Sequence, residues 1–318
     1  MKENIPKISV LIITYNQEDV LPRAIESLLS QKDYIYEICI SDDCSKDNTW
    51  EVMQHYKNQH PGLFKLNRNH PNIGMFENIE KTWTMPSGDI IYQLSGDDEC
   101  GSGWFERVIA YIYDNKIDYK NESFCIYGDY KCVYPNGDDF IVKNDAVLTG
   151  ISPFRLSLRL MIGNRSACFS KKICDKFKKV SKGRSYVAES AIDRQLQMYS
   201  RQNYYIPFVG NIYYAGIGVN VRFSESEKKE REDVENYAIE IAEKEGIEVC
   251  KKDKVYGQYK VAFYDFYSNR SLAGFIKMMG LYIKSYDTVF GRRNFGLKRI
   301  LFAIMRKLPH SKPLHWTI

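Results

Sequence analysis

The sequence predicts an α/β fold with a mostly parallel central sheet, flanking helices and a helical C-terminal extension. Short β-rich runs alternate with helical stretches in the first half of the chain, which is the pattern of βαβ units. Hydrophobic residues make up 44% of the 318 residues, enough for a sizeable core. No apolar run reaches the roughly 18 residues that span a bilayer. After residue 224 the composition changes to charged helical stretches, so we expect domains at residues 1–224 and 225–318.

The predicted elements follow one another in a regular order. Apolar, β-branched runs predict strands, and apolar residues at helical spacing predict the helices between them. The predicted strands are residues 8–14, 35–41, 62–67 and 89–95, and the predicted helices are residues 19–30, 47–58 and 74–83. Further on, we expect a hairpin with an Asn136–Gly137 turn, a strand at 166–170, an amphipathic helix at 188–201 and a glycine-broken extended stretch at 204–221.

Positive charge is concentrated at the C-terminus. Residues 270–318 hold ten Lys and Arg but one acid, while the rest of the chain is mildly acidic. This distribution predicts an anionic partner for the tail alone, either nucleic acid or anionic lipid. Because the body is acidic and contains no recognised nucleic-acid module, we expect no nucleic acid. Residues 295–308 predict a helix with an apolar arc and a basic face, which either lies in a membrane headgroup layer or packs on the first domain.

Two further features predict the compartment. The N-terminus lacks the long apolar core and the cleavage site of a secretory signal. Eight cysteines, none at C-x-x-C spacing, indicate reduced thiols rather than a disulfide framework. We therefore expect a cytoplasmic protein with peripheral contact at the inner face of the cell membrane.

Polar side chains follow three of the predicted strands. Asn16 comes after the first strand, Asp43 after the second and Asp98 after the fourth, and each alone is typical of an ordinary turn. Ligands of open α/β sheets bind outside the carboxyl ends of the strands, so the convergence favours a binding site. Paired carboxylates there suit Mg²⁺ or Mn²⁺, which could bridge diphosphate oxygens. The sequence contains neither a P-loop nor a glycine-rich dinucleotide motif.

The ordered motifs ISVLIITYNQEDVLPRAIESLLSQ, ICISDDCSKDNT and NIGMFENIEKTWTMPSGDIIYQLSGDDE resemble the nucleotide-sugar-binding half of family 2 glycosyltransferases with the GT-A fold. The resemblance is tight over residues 7–105 and loose over residues 106–224. It implies an inverting enzyme that uses a nucleotide-diphosphate sugar, UDP-linked by preference, and a divalent cation. It also implies that Asp98 is the metal ligand.

The resemblance assigns further roles to single residues. Asp97 lies where the family contacts the donor's ribose or phosphate, and nucleoside contacts are implied for Thr14, Asn16 and Asp43. The family often has Ala-Arg-Asn where this chain has Glu77-Asn78, so a basic contact to the donor must come from elsewhere. Arg222, after the glycine-broken stretch, is our candidate for it.

The general base is implied by VAESAIDRQLQMYS. Asp193 with Leu196 matches the D-x-x-L part of the family's E-D-x-x-L motif, but Ile192 stands where the family has Glu. Glu189 lies one helical turn before Asp193 and is the rival base.

The function implied is transfer of a hexosyl or N-acetylhexosaminyl group to the hydroxyl of a saccharide acceptor, itself lipid-linked if the tail binds a membrane. Such a reaction belongs to surface polysaccharide assembly, of capsule, O-antigen or exopolysaccharide. The alternative is a catalytically inactive GT-A-fold protein that binds sugar nucleotides or acts as a scaffold, which the departure at Ile192 favours.

Overall fold

The computed structural model describes residues 5–148, 152–159, 164–177, 188–215, 225–269 and 271–287. These belong to two compact units. The first takes in the described residues of Met1–Gly150, Gly163–Gly183 and Tyr199–Asn220, and the second those of Ile151–Ile162, Arg184–Met198 and Val221–Ile318. The second unit therefore draws on two stretches of chain before residue 221, which composition does not distinguish from their surroundings.

The elements of the first unit match the predicted alternation closely. Its strands are β1 (Ile8–Thr14), β2 (Ile35–Asp42), β3 (Phe64–Arg68), β4 (Ile90–Ser95), β5 (Glu99–Cys100), β6 (Phe124–Val133), β7 (Asp139–Val142), β8 (Cys168–Ser170) and β9 (Gln202–Tyr214). Its helices are α1 (Leu21–Leu29), α2 (Thr49–Gln59), α3 (Met75–Thr82), α4 (Trp104–Asp114) and α6 (Lys171–Lys176). The second unit contains α5 (Pro153–Arg159), nearly all of α7 (Ala188–Tyr199), α8 (Glu225–Lys244), α9 (Lys251–Asn269) and α10 (Leu272–Ser285).

In the described part of the chain the nine strands form one mixed sheet, in the order β3-β2-β1-β4-β8-β6-β9-β5 with β7 paired to β6. The first four strands in this order are parallel, as predicted. Beyond them, β8 is antiparallel to both β4 and β6, while β9 is parallel to β6 and antiparallel to β5. The sheet is therefore parallel on one side and mixed on the other.

Local sequence explains the elements that frame the sheet. Strand β1 is almost wholly buried, as expected for a strand covered by helices on both faces. Helix α1 turns Leu21, Ala24, Ile25 and Leu28 into the core at helical spacing. The predicted hairpin joins β6 to β7, and Gly137, with φ of 86°, takes the left-handed conformation that its turn requires.

The second unit is helical where it is described. Arg155 of α5 forms ion pairs with Asp253 of α9 at 2.8 Å and with Asp287 at 3.3 Å. Aromatic residues of α9 and Met278 of α10 form its core, including the buried Tyr256 and Tyr259. None of the helices described is long and apolar enough to cross a membrane. The predicted tail helix at 295–308 lies outside the described residues.

Candidate functional site

Three strand ends bring the predicted polar residues together at one edge of the sheet. In the parallel register Thr14 pairs with Asp42, and Ile13 pairs with Ser95. The N–H of Asp43 donates to the carbonyl oxygen of Thr14 at 3.0 Å, which joins the first two strand ends beyond the ladder. Asp97 and Asp98 lie in the turn directly after β4. The sheet thus delivers the carboxylates to the edge where ligands of such sheets bind.

Asp43 is buried, and both oxygens of its carboxylate accept hydrogen bonds from the protein. It accepts hydrogen bonds from Asn69 Nδ2 at 2.9 Å, from the N–H of Ile73 at 2.9 Å and from the N–H of Gly74 at 2.8 Å. Gly74 has φ of 89° and immediately precedes α3. Asp43 therefore fixes the start of α3, and its contact with a nucleoside stays a prediction.

Asn16 ties the first strand end to the loop after β2, and Thr14 bonds within the first loop. Asn16 is exposed and has φ of 51°, a left-handed conformation that Asn tolerates better than most residues. Its N–H donates to Ser45 Oγ at 2.9 Å, and its Oδ1 accepts from the N–H of Lys46 at 2.8 Å. The buried Thr14 hydroxyl donates to Gln17 Oε1 at 2.8 Å. The two Asn16 bonds join the loop after β1 to the loop after β2, next to Asp43.

Of the three acidic residues directly after β4, Asp98 is the most buried, with 2% of its side chain exposed. Its Oδ2 lies 3.1 Å from Arg165 Nη1, and its Oδ1 accepts from the N–H of Tyr214 at 3.3 Å. Burial raises the pKa of Asp98 to about 6, although the Arg165 guanidinium opposes the shift. Burial also raises the pKa of the partly exposed Asp97.

Two arginines border these carboxylates, and the sequence patterns assign a role to neither. Arg23 of α1 donates from Nη2 to the carbonyl oxygen of Asp97 at 2.6 Å, and its Nε lies 3.3 Å from Glu99 Oε1. Its guanidinium lies over the Tyr214 ring, 3.6 Å from the centroid. Arg165 precedes β8, and only the antiparallel placement of that strand beside β4 puts it next to Asp98. No sequence signal could have found that contact.

Asp97 and Asp98 fit a divalent cation on the condition that other groups supply most of its ligands. Within the described ranges no group of three or more His, Cys, Asp or Glu side chains could hold a metal ion. Asp98 and Asp97 offer one or two carboxylates, and Mg²⁺ is commonly held by that number together with substrate phosphates. The site therefore fits a cation whose remaining ligands come from a bound diphosphate and water.

The predicted base lies in the second unit. Asp193 is a partly exposed residue of α7, between the buried Ile192 and Leu196. Glu189 lies one turn earlier in the same helix. Arg222, the predicted basic contact to the donor, lies outside the described residues.

Comparison with known proteins finds a family match within the first unit. Residues 9–121 match the family model described as Glycosyl transferase family 2. Residues 9–121 are therefore those of a family 2 glycosyltransferase domain. A 99-residue stretch is 34% identical to the GalNAc(5)-diNAcBac-PP-undecaprenol beta-1,3-glucosyltransferase of Campylobacter jejuni, covering 31% of this chain and 32% of that protein. The matches span about half or less of the length of the curated relatives.

Solved structures show that this family 2 domain has the predicted GT-A fold. The crystal structure of Staphylococcus aureus TarS 1–349 with UDP-GlcNAc aligns with a TM-score of 0.60 at 15% identity, over 89% of this chain and 82% of that one. GalNAc-T7, solved with UDP, GalNAc and Mn²⁺, aligns with a TM-score of 0.54 at 16% identity, over 89% of this chain and 56% of that one.

Proposed function

We propose that the chain is an inverting glycosyltransferase that moves a sugar from a UDP-linked donor to an acceptor hydroxyl. The observation that carries the proposal is the buried Asp98, next to Asp97 at the carboxyl end of β4 in a family 2 domain. A buried carboxylate held by one ion pair and one backbone hydrogen bond is expensive to maintain for stability alone. The free-energy cost of burying Asp98 is explained if its carboxylate binds a ligand.

Each residue has a part in this reaction. Asp98, with Asp97, would hold a divalent cation, which when bound supplies positive charge to the departing diphosphate. Thr14, Asn16 and Asp43 border the place for the nucleoside. Asp193 takes the proton from the acceptor hydroxyl as that oxygen attacks the anomeric carbon, with Glu189 as its rival. Arg222 is the proposed basic contact to the donor.

Relatives support the choice of donor and acceptor class. A UDP-sugar is bound in TarS, and the name of the Campylobacter jejuni relative specifies an undecaprenol-linked acceptor. We propose a saccharide acceptor that is lipid-linked and a role in surface polysaccharide assembly at the cytoplasmic face of the membrane. The basic residues 295–308 would bring the enzyme there, as part of a C-terminal domain that begins near residue 225.

The test is release of UDP from a panel of UDP-sugars with an extract of lipid-linked saccharides. We expect metal-dependent release by the wild-type chain, and none by Asp98→Asn or in excess chelator. Asp193→Asn should lower kcat by about 10²–10⁴-fold with donor affinity unchanged, because the base touches the acceptor. The same loss in Glu189→Gln instead would move the role to that residue.

Donor binding without any release, across the whole panel, would favour the alternative of an inactive sugar-nucleotide-binding protein. Full activity in chelator would remove the metal from the proposal.

A further inference from the structure

Arg165 pairs with one oxygen of Asp98, and a backbone N–H of β9 holds the other. Oδ1 of Asp98 accepts from the N–H of Tyr214, whereas Oδ2 lies 3.1 Å from Arg165 Nη1. The backbone N–H is fixed by β9, but the arginine is a side chain with 33% of its surface exposed. Of the two contacts to Asp98, the arginine's is the one that can move.

A divalent cation and a guanidinium cannot both approach Oδ2 closely. Both are positive, and at about 4 Å two unit charges repel by several kcal/mol in a partly buried environment. Entry of a metal at this oxygen therefore requires Arg165 to move away. That movement costs Arg165 its ion pair with Asp98.

A bound diphosphate offers the arginine an anion in place of Asp98. Arginine binds phosphate oxygens with two parallel hydrogen bonds, and it stacks on aromatic rings while doing so. The guanidinium of Arg165 already lies over the ring of Tyr213, 3.7 Å from its centroid. A flat ring offers a surface along which the guanidinium can shift without losing that contact.

We propose that Arg165 has two partners in turn: Asp98 before the donor binds, and the donor's diphosphate once a divalent cation takes Asp98. The proposal rests on the proposed function. It makes Arg165 a positioning residue that couples the two ligands, so that metal alone binds weakly and UDP strengthens metal binding. By linkage the metal strengthens UDP binding by the same factor.

Arg23 provides the matched control. It is the other arginine at these carboxylates, but it contacts the backbone oxygen of Asp97 and the carboxylate of Glu99, not Asp98 Oδ2. Arg23→Gln therefore removes one positive charge from the site without freeing the oxygen at issue.

The experiment measures Mn²⁺ binding to the full chain by the electron paramagnetic resonance signal of free Mn²⁺, with and without UDP. It is done at pH 8, where protons compete little for carboxylates. Without UDP, Arg165→Gln should bind Mn²⁺ about 5–10-fold more tightly than the wild type, roughly 1 kcal/mol. Arg23→Gln should bind less than about twofold more tightly on the same scale.

A second arm measures nucleotide affinity in saturating Mn²⁺. Arg165→Gln should bind UDP about tenfold more weakly, since the diphosphate loses a charge-assisted partner, and uridine with unchanged affinity. Arg165→Lys should lie between the two, because it keeps the charge without the planar fork. Circular dichroism confirms that each variant is folded.

Unchanged or weaker Mn²⁺ binding by Arg165→Gln without UDP would overturn the proposed competition between Arg165 and the cation for Asp98. Unchanged UDP affinity would overturn the proposed contact between Arg165 and the diphosphate. If the wild type binds no UDP, the proposed function fails. The Mn²⁺ affinities measured without UDP still decide whether Arg165 competes with the cation for Asp98.

Discussion

Replacing Asp98 with Asn should change how the stability of the metal-free protein depends on pH. Burial raises the pKa of Asp98 to about 6, against an ordinary value of 3.8. Between these two values the folded protein binds a proton at this site that the unfolded chain has released. Stability therefore falls as the pH rises through this window, and it levels off above pH 6. Asn cannot ionise, so the variant lacks this loss.

The size of the effect follows from the separation of the two pKa values. A separation of about two units, at 1.36 kcal/mol for each unit, amounts to about 3 kcal/mol in total. About 2 kcal/mol of that falls between pH 4.5 and pH 7.5, because the unfolded carboxyl has begun to ionise below pH 4.5. The Asn amide faces two donors, Arg165 and the Tyr214 N–H. The unfolding free energy of Asp98→Asn is therefore shifted by the same amount at every pH. The change with pH is the informative quantity.

Urea denaturation in chelator at several pH values between 4.5 and 7.5 measures it. The unfolding free energy of Asp98→Asn relative to the wild type should rise by about 2 kcal/mol across this range. Asp114→Asn, which removes an exposed carboxylate at the end of α4, corrects for the change in net charge. If the difference in unfolding free energy stays constant within about 0.5 kcal/mol, ionising Asp98 costs no more in the folded protein than in the unfolded chain. The reasoning from its burial would then be refuted.

Three further substitutions in the first unit, with Gly280→Ala as a control, are tested by urea denaturation. Asp43→Asn should lose about 2–3 kcal/mol, since an amide cannot accept at both of the oxygens that bind α3. Gly210→Ala should lose about 1–3 kcal/mol or more because its Cβ would lie 2.8 Å from the Trp104 ring, whereas Gly280→Ala meets no atom within 4 Å and should cost nothing. Burial raises the pKa of Glu37, but hydrogen bonds to its carboxylate outweigh this and lower it. Its stabilising contribution should therefore disappear as the pH falls below 4.5 through the lowered pKa, and a pH-independent effect of Glu37→Gln would contradict this.

The parallel side of the sheet could be predicted because its signals are local. Strands β1, β2 and β4 are apolar runs long enough to be recognised, and amphipathic helices separate them. On the mixed side the β6–β7 hairpin and strand β8 were predicted as well, but β5, with two residues, is too short for any periodicity. The order of these strands was not predicted, because the pairing of β5 with β9 and of β8 with β4 is decided by distant parts of the chain.

The candidate site divides in the same way. The strand-end rule places Asp43 and Asp98 at one edge because chain order and parallel pairing are enough to do so. It says nothing of Arg165, which is 67 residues from Asp98 in the chain. It also cannot reveal that Asp43 is already bound by three donors of the protein, since two of those are backbone N–H groups set by the turn before α3.

The packing of Trp104 and the geometry of Asp98 are coupled through β9. A Cβ at Gly128 or Gly210 would approach the buried Trp104 ring to within 2.9 Å, so both strands lie directly against it. The carbonyl oxygen of Gly210 accepts from the N–H of Gly101 at 3.0 Å, and four residues later the N–H of Tyr214 donates to Asp98. Any side chain that pushes β9 away from the ring must therefore move a hydrogen-bond donor of Asp98. Gly210→Ala should accordingly weaken UDP and Mn²⁺ binding as well as the fold, and a loss of stability alone would show that β9 bends between these two contacts.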